Sequence, residues 1–221
     1  MLIFLSYIIN ADTPIYGGEK GFLSKSLNSI RDGNTANTSK WEFPNHLGTH
    51  IDFPYHFFQK GQTVEDFSTY FWFISGEKTQ ILEINLPDNN LLIKPEFINK
   101  DNLSFDSEFL IFKTGIGKYR DKDRYWEHNP GIGIETAEWI RKNFKKIRII
   151  GFDSISISSW QHRDAGRIVH KKMLNPKNPI LIVEDMDLSK VSKDTIFKIV
   201  YVAPLRITKS DGGPVTIIAE V

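Results

Sequence analysis

Apolar residues gather in short runs along this chain. The runs at 2–9, 79–84, 109–112, 147–152, 180–183, 197–202 and 215–219 are rich in Ile, Val, Leu and Phe and are bounded by Gly, Pro, Asn or Asp. That pattern predicts β-strands. The clearest helical periodicity follows Pro130-Gly131. In GIETAEWIRKNFKKI, Ala137, Ile140, Phe144 and Ile147 recur at helical spacing, with acids early and lysines late, as the helix dipole favours. A second helix is expected over 164–173. Short elements of both kinds predict a mixed α/β fold. Segments 10–45 and 114–131 carry turn formers and aromatics and read as long loops, the kind that serve as lids or pocket walls.

A length of 221 residues fits one domain spanning 1–221. With 40% hydrophobic and 25% charged residues, a sizeable core needs no disulfide staples. The 28 basic and 27 acidic residues nearly cancel, which gives no support to a nucleic-acid or membrane partner. The basic run 141–148 (RKNFKKIR) reads as the solvated side of a helix. The absence of cysteine excludes disulfides, thiolate zinc sites and a Cys nucleophile, and suits a cytoplasmic protein. The opening MLIFLSYIIN lacks a positive n-region and reads as a first strand rather than a signal peptide. No apolar run approaches the roughly 20 residues that span a bilayer.

Candidate chemistry concentrates in HLGTHIDFPYHF, which holds three of the six histidines. His46, His50, Asp52 and His56 all occupy even positions, so an extended strand would project all four from one face. Ile51, Phe53, Tyr55 and Phe57 would then face the other way, and Pro54 favours an edge or twisted segment. Imidazoles plus a carboxylate suit Zn²⁺, or Mn²⁺ if more oxygens join, and a carboxylate can bridge two ions. The other reading is a surface histidine cluster. Phe53, Tyr55, Phe58 and Trp126 are candidates for stacking on an aromatic substrate or for the core.

The same stretch resembles the H-x-G-T-H-x-D-x-P-x-H motif of the cyclase-like metal hydrolases, which include bacterial kynurenine formamidase and isatin hydrolase. Weaker likeness extends over nearly the whole chain: TPIYGG at 13–18, Thr114-Gly115, PGI at 130–132 and DGGPV at 211–215. The resemblance implies the cyclase-like fold, a mixed β-sheet core with flanking helices. It implies His46, His50 and Asp52 as metal ligands, joined by His170 and Glu184, and His56 as the general acid/base. Strand alternation separates Glu184 from Asp185, and Glu184 is taken as the ligand. One or two ions of Zn or Mn per subunit and a homodimer are further implications. His162 and Arg163, in SWQHRDAGR, depart from the kynurenine formamidase form and are candidates for a substrate carboxylate or a surface salt bridge.

The activity implied is metal-dependent hydrolysis of a non-peptide C–N bond, arylformamidase-like, with N-formylkynurenine the best single guess. The alternatives are a lactam, lactone or cyclic-imide hydrolase or dehydratase of the same family, and a metal-binding protein without turnover. A histidine beyond the ligand count favours catalysis, because a structural zinc site is closed by four protein ligands.

Overall fold

The computed structural model describes residues 1–18, 21–87, 91–100 and 103–221. Its strands are β1 Leu2–Phe4, β2 Leu23–Asn28, β3 Thr38–Glu42, β4 His50–Asp52, β5 Phe73–Ser75, β6 Thr79–Glu83, β7 Leu92–Ile93, β8 Phe109–Lys113, β9 Gly131–Ile132, β10 Ile149–Phe152, β11 Leu181–Glu184, β12 Ile199–Pro204 and β13 Gly212–Glu220. The helices are α1 Arg124–Glu127, α2 Ile134–Asn143 and α3 Arg163–Met173.

One mixed sheet runs in the order β5-β12-β13-β4-β11-β10-β8-β6, with β1 added along β13. Strands β6, β8, β10 and β11 are parallel, while β4, β13, β12 and β5 pair antiparallel. Strands β8, β10 and β11 are apolar runs, such as FLIF at 109–112 and LIV at 181–183, and these runs are buried, as strands covered on both faces must be. The junction of the two halves is β4. In register, His50 faces Glu184 of β11 and Pro214 of β13, and Asp52 faces Ile182 and Gly212. This short strand therefore sits deep in the sheet, and its three residues are all buried.

Each strand expected in the sheet is present, with shifted bounds. The first is shorter than 2–9. After Phe4 the chain leaves β13: the Leu5 N–H still donates to Ile217 O at 2.9 Å, but Leu5 O accepts the Asp187 N–H at 3.1 Å. Helix α2 ends at Asn143, and Phe144 takes an extended conformation yet stays buried, as does Ile147. Segment 10–45 is not all loop. It holds the β2–β3 hairpin, whose residues are exposed on both faces. With no apolar face, LSKSLN and TSKWE gave no alternation to read. Segment 114–131 holds a 3₁₀ turn, Ile116–Tyr119, and α1. No helix among the described residues is long and apolar enough to cross a membrane.

Candidate metal centre

His50 and Asp52 project from the same face of β4, and Glu184 stands beside His50 on β11. The fourth donor comes from α3. Gly166, Val169, His170 and Met173 form its buried stripe, the i, i+3, i+4, i+7 spacing of one helical face. His170 thus reaches the sheet residues across the interior.

Outer partners fix each ring. The His50 Nδ1–H donates to Gly48 O at 2.8 Å, a geometry that the left-handed backbone at Gly48 (φ 63°) makes available. The His170 Nδ1–H donates to Gly166 O at 2.9 Å. In both rings the Nε2 lone pair is left for the site. His50 Nε2 lies 3.3 Å from Glu184 Oε2 and 3.6 Å from Asp52 Oδ1. His170 Nε2 lies 3.5 Å from Asp52 Oδ2 and from Glu184 Oε1. These separations are long for charge-assisted hydrogen bonds. Each carboxylate turns one oxygen to His50 and the other to His170, and the donor atoms fall into two groups that share Asp52, one with His46 and His50 and one with His170 and Glu184. Two imidazole nitrogens and two carboxylates, converging inside the protein, fit a divalent ion. Glu184 Oε1 is itself held by the Ile157 N–H at 2.6 Å and Ser156 Oγ at 3.1 Å.

His46 lies in the turn before β4. Its Nδ1 is 2.9 Å from Asp52 Oδ1 and its Nε2 is 2.9 Å from Asp211 Oδ2. Gly212 faces Asp52 across the β4–β13 ladder, and a Cβ there would fall 2.6 Å from His46 Cε1, so this ring needs a glycine beneath it. Asp211 also accepts Asn45 Nδ2 at 2.7 Å and meets His56 Nδ1 at 3.1 Å. The hydrogen bond from His46 leads the causes that hold Asp211 well below the carboxylate range. Burial opposes charge on His46, yet Asp52 and Asp211 outweigh it and push its pKa up to about 10. Burial likewise opposes charge on His170, and Asp52 and Glu184 push it up to about 10. The Asp52 carboxyl stays well below its usual range against its own burial, because three histidines face it.

The even positions do not all share one strand face. Strand β4 ends at Asp52, and Pro54–His56 is a 3₁₀ turn. His56 reaches the cluster because that turn folds it back toward His46, with ring centroids 4.2 Å apart. The same turn corrects the aromatic assignment. Phe53 is fully buried in the core against Phe67 and Trp72 and is not a pocket residue. Tyr55 is exposed. Phe57 lines the site instead, stacked on His170 at 4.9 Å.

The donors open into a cavity of about 370 Å³. His46, His50, Asp52, His56, His170 and Glu184 all line it. Arg163 lines it too, but His162 is exposed in the turn before α3, outside the cavity. Asp185 points away from Glu184: its carboxylate accepts Arg120 Nε at 2.8 Å and Nη2 at 2.6 Å, and Tyr125 donates to it. Asp153 caps the Thr114-Gly115 turn and accepts both backbone N–H groups. Sequence reasoning missed Asp211, Tyr16 and Arg167 as site residues. Arg167 stands one turn after Arg163 and one turn before His170, a spacing readable once α3 is taken as a helix. Asp211 had only the DGGPV likeness as a signal.

Sheet and cluster together define a mixed α/β protein with a histidine–carboxylate centre suited to a divalent ion. The family described as "Putative cyclase" matches residues 3–159, and the chain belongs to that family. Kynurenine formamidase of Bacillus anthracis is 25% identical over 213 residues, covering 96% of this chain and 94% of its own. Cyclase-like protein 2 of Oryza sativa subsp. japonica is 22% identical over 230 residues, covering 97% and 77%. Among solved structures, isatin hydrolase A from Labrenzia aggregata, bound to benzyl benzoate, superposes with a TM-score of 0.79 at 16% identity, covering 99% of this chain and 93% of that one. A predicted metal-dependent hydrolase from Bacillus stearothermophilus gives 0.76 at 20% identity, covering 99% and 97%. The fold is the cyclase-like fold that the sequence resemblance implied.

Proposed function

We propose that the protein is a metal-dependent hydrolase of non-peptide C–N bonds, arylformamidase-like, with N-formylkynurenine as the first-choice substrate. The observation that carries this reading is the grouping of Asp52 with His46 and His50 on one side and with His170 and Glu184 on the other, on a cavity whose wall also holds His56. Identity to the Bacillus formamidase across nearly the whole of both chains supports it.

His46, His50, Asp52, His170 and Glu184 would hold one or two ions, zinc or manganese, in two groups that share Asp52. When bound, such an ion supplies Lewis acidity toward a carbonyl and hydroxide from water near neutral pH. His56 handles the proton. Its Nδ1–H is directed at Asp211, which fixes the tautomer and leaves Nε2 as the nitrogen that exchanges protons with the substrate. In formamide hydrolysis a C–O bond forms at the carbonyl carbon as water adds, and the C–N bond breaks. The water proton received by His56 is delivered to the departing amine nitrogen, which leaves neutral, and the formic acid formed ionises to formate, releasing its proton to solvent. Phe57 offers an aromatic wall over His170.

The test is to strip the protein of metal, reload it with Zn²⁺ or Mn²⁺, and follow kynurenine and formate from N-formylkynurenine. The reading expects one formate per kynurenine, turnover only after reloading, and loss of turnover with chelator. A metal-filled protein that releases neither product overturns the substrate.

A further inference from the structure

Three side chains of the cavity take no part in the chemistry above. Arg163 and Arg167 stand one turn apart on α3, on the same face as His170, and Tyr16 comes from the TPIYGG loop. Arg167 is offset by Asp164, 2.7 Å away. Arg163 is different. Its guanidinium lies over the Trp160 ring at 4.7 Å, and among the described residues it makes no ion pair with a carboxylate. Trp160 in turn meets the edges or faces of Tyr16 at 5.0 Å and Trp126 at 5.2 Å. The stack holds a planar five-donor cation beside the cavity, with its hydrogen-bonding edge unused by the described residues.

The charges facing that cation are those of the centre. Asp52 and Glu184 are matched by a divalent ion when one is bound, and Asp211 accepts hydrogen bonds from Asn45, His46 and His56. Arg163 is left without a carboxylate counterpart among the described residues. Tyr16 adds a neutral donor. Burial pushes its pKa up to about 12; Arg163 and Arg167 pull it down and Glu184 pushes it up, so the hydroxyl feels both ends of the cavity and keeps its proton.

We propose that Arg163, aided by Arg167 and Tyr16, forms a carboxylate-recognition site, so that the preferred substrates are amides bearing a carboxylate remote from the scissile carbonyl. The guanidinium fork receives the carboxylate in two parallel hydrogen bonds, and Trp160 keeps its plane fixed. This rests on the hydrolase reading for the reaction but not for the binding. It makes Arg163 a specificity residue and sets the orientation of the substrate: charged end toward the start of α3, carbonyl toward β4.

The experiment compares formanilide with 2-, 3- and 4-(formylamino)benzoate on the metal-reloaded protein, in wild type, Arg163→Gln, Arg163→Lys and Lys177→Gln. Wild type is expected to favour at least one of the benzoates in kcat/KM by about tenfold or more, mainly through KM. Arg163→Gln collapses that ratio, Arg163→Lys restores part of it, and Lys177→Gln, an exposed charge outside the cavity, leaves the ratio intact. Binding of the matching aminobenzoate products is measured by calorimetry in the same proteins. Formamide hydrolysis with no preference for any benzoate overturns the carboxylate site and leaves the hydrolase reading standing. Arg163-dependent aminobenzoate binding without hydrolysis does the reverse. A preference that survives Arg163→Gln also overturns the proposal.

Discussion

His56 and Asp211 are 155 positions apart in the chain, yet Nδ1 of one lies 3.1 Å from Oδ2 of the other. The 3₁₀ turn after β4 brings His56 back, and the residue preceding β13 brings Asp211 across. Asp211 touches His46 as well, at 2.9 Å, so one carboxylate orients both histidines that flank the buried donors.

Asp211→Asn tests that role. The variant keeps the shape and removes the charge that fixes the His56 tautomer. Expected are retained metal and a kcat lower by roughly 10–100-fold, the usual cost of an outer partner. Metal content by elemental analysis, beside steady-state kinetics, decides it. Metal loss as severe as in Asp52→Asn would make Asp211 a ligand.

Asp52→Asn and Glu184→Gln are expected to empty the site on dialysis. Each removes a donor rather than an outer partner, so affinity falls by more than the roughly 10–100-fold that outer partners cost. Asp185→Asn, one residue along, keeps its metal because Asp185 is directed to Arg120 and Tyr125. Retention of metal by both Asp52→Asn and Glu184→Gln would dissolve the centre as described.

The pH response follows from His46 and His170. In the metal-free protein both pKa values rise to about 10 from an ordinary 6.5, as neighbouring carboxylates outweigh burial. Their folded-state values exceed the unfolded ones. The stabilisation is therefore complete below 6.5 and is lost as pH rises through about 10. Tm of chelator-treated protein should fall across that window. Metal competes with these protons, so binding at pH 8 should release protons to buffer, read by calorimetry in buffers of different ionisation enthalpy. No dependence on the buffer would contradict the arrangement.

Arg120 and Asp185 form a buried pair behind the site, and the guanidinium also stacks on Tyr7 at 4.0 Å. Arg120→Met leaves the Asp185 carboxylate unpaired. The expected cost is about 3 kcal/mol, a Tm drop of roughly 6–12 °C for a chain of this size. Asp185→Asn added to Arg120→Met should recover part of it. Thermal melts that show no loss in the single variant would remove the pair from the account of stability.

The sheet was legible because its central strands β8, β10 and β11 are buried on both faces and appear as apolar runs. The hairpin β2–β3 was not, since neither of its faces is buried. The five residues His46, His50, Asp52, His170 and Glu184, which line one cavity, were legible as a group from a fixed-spacing motif and its two downstream partners. The period-2 reading placed His50 and Asp52 correctly on one face. It failed from Pro54 onward, because Pro54 starts a 3₁₀ turn that leaves Tyr55 exposed and brings Phe57 to the cavity. Asp211 was hidden for a different reason. Its partners His46 and His56 lie at the other end of the chain, and nothing local to DGGPV announces a ring nitrogen beside it.

The central claim is that buried donors hold a metal and His56 moves the proton. The direct test measures kcat for N-formylkynurenine in wild type and His56→Ala at matched metal occupancy. The account predicts equal metal content and a kcat lower by roughly 100–10,000-fold in the variant. Equal kcat at equal occupancy, or metal lost together with activity, would contradict it.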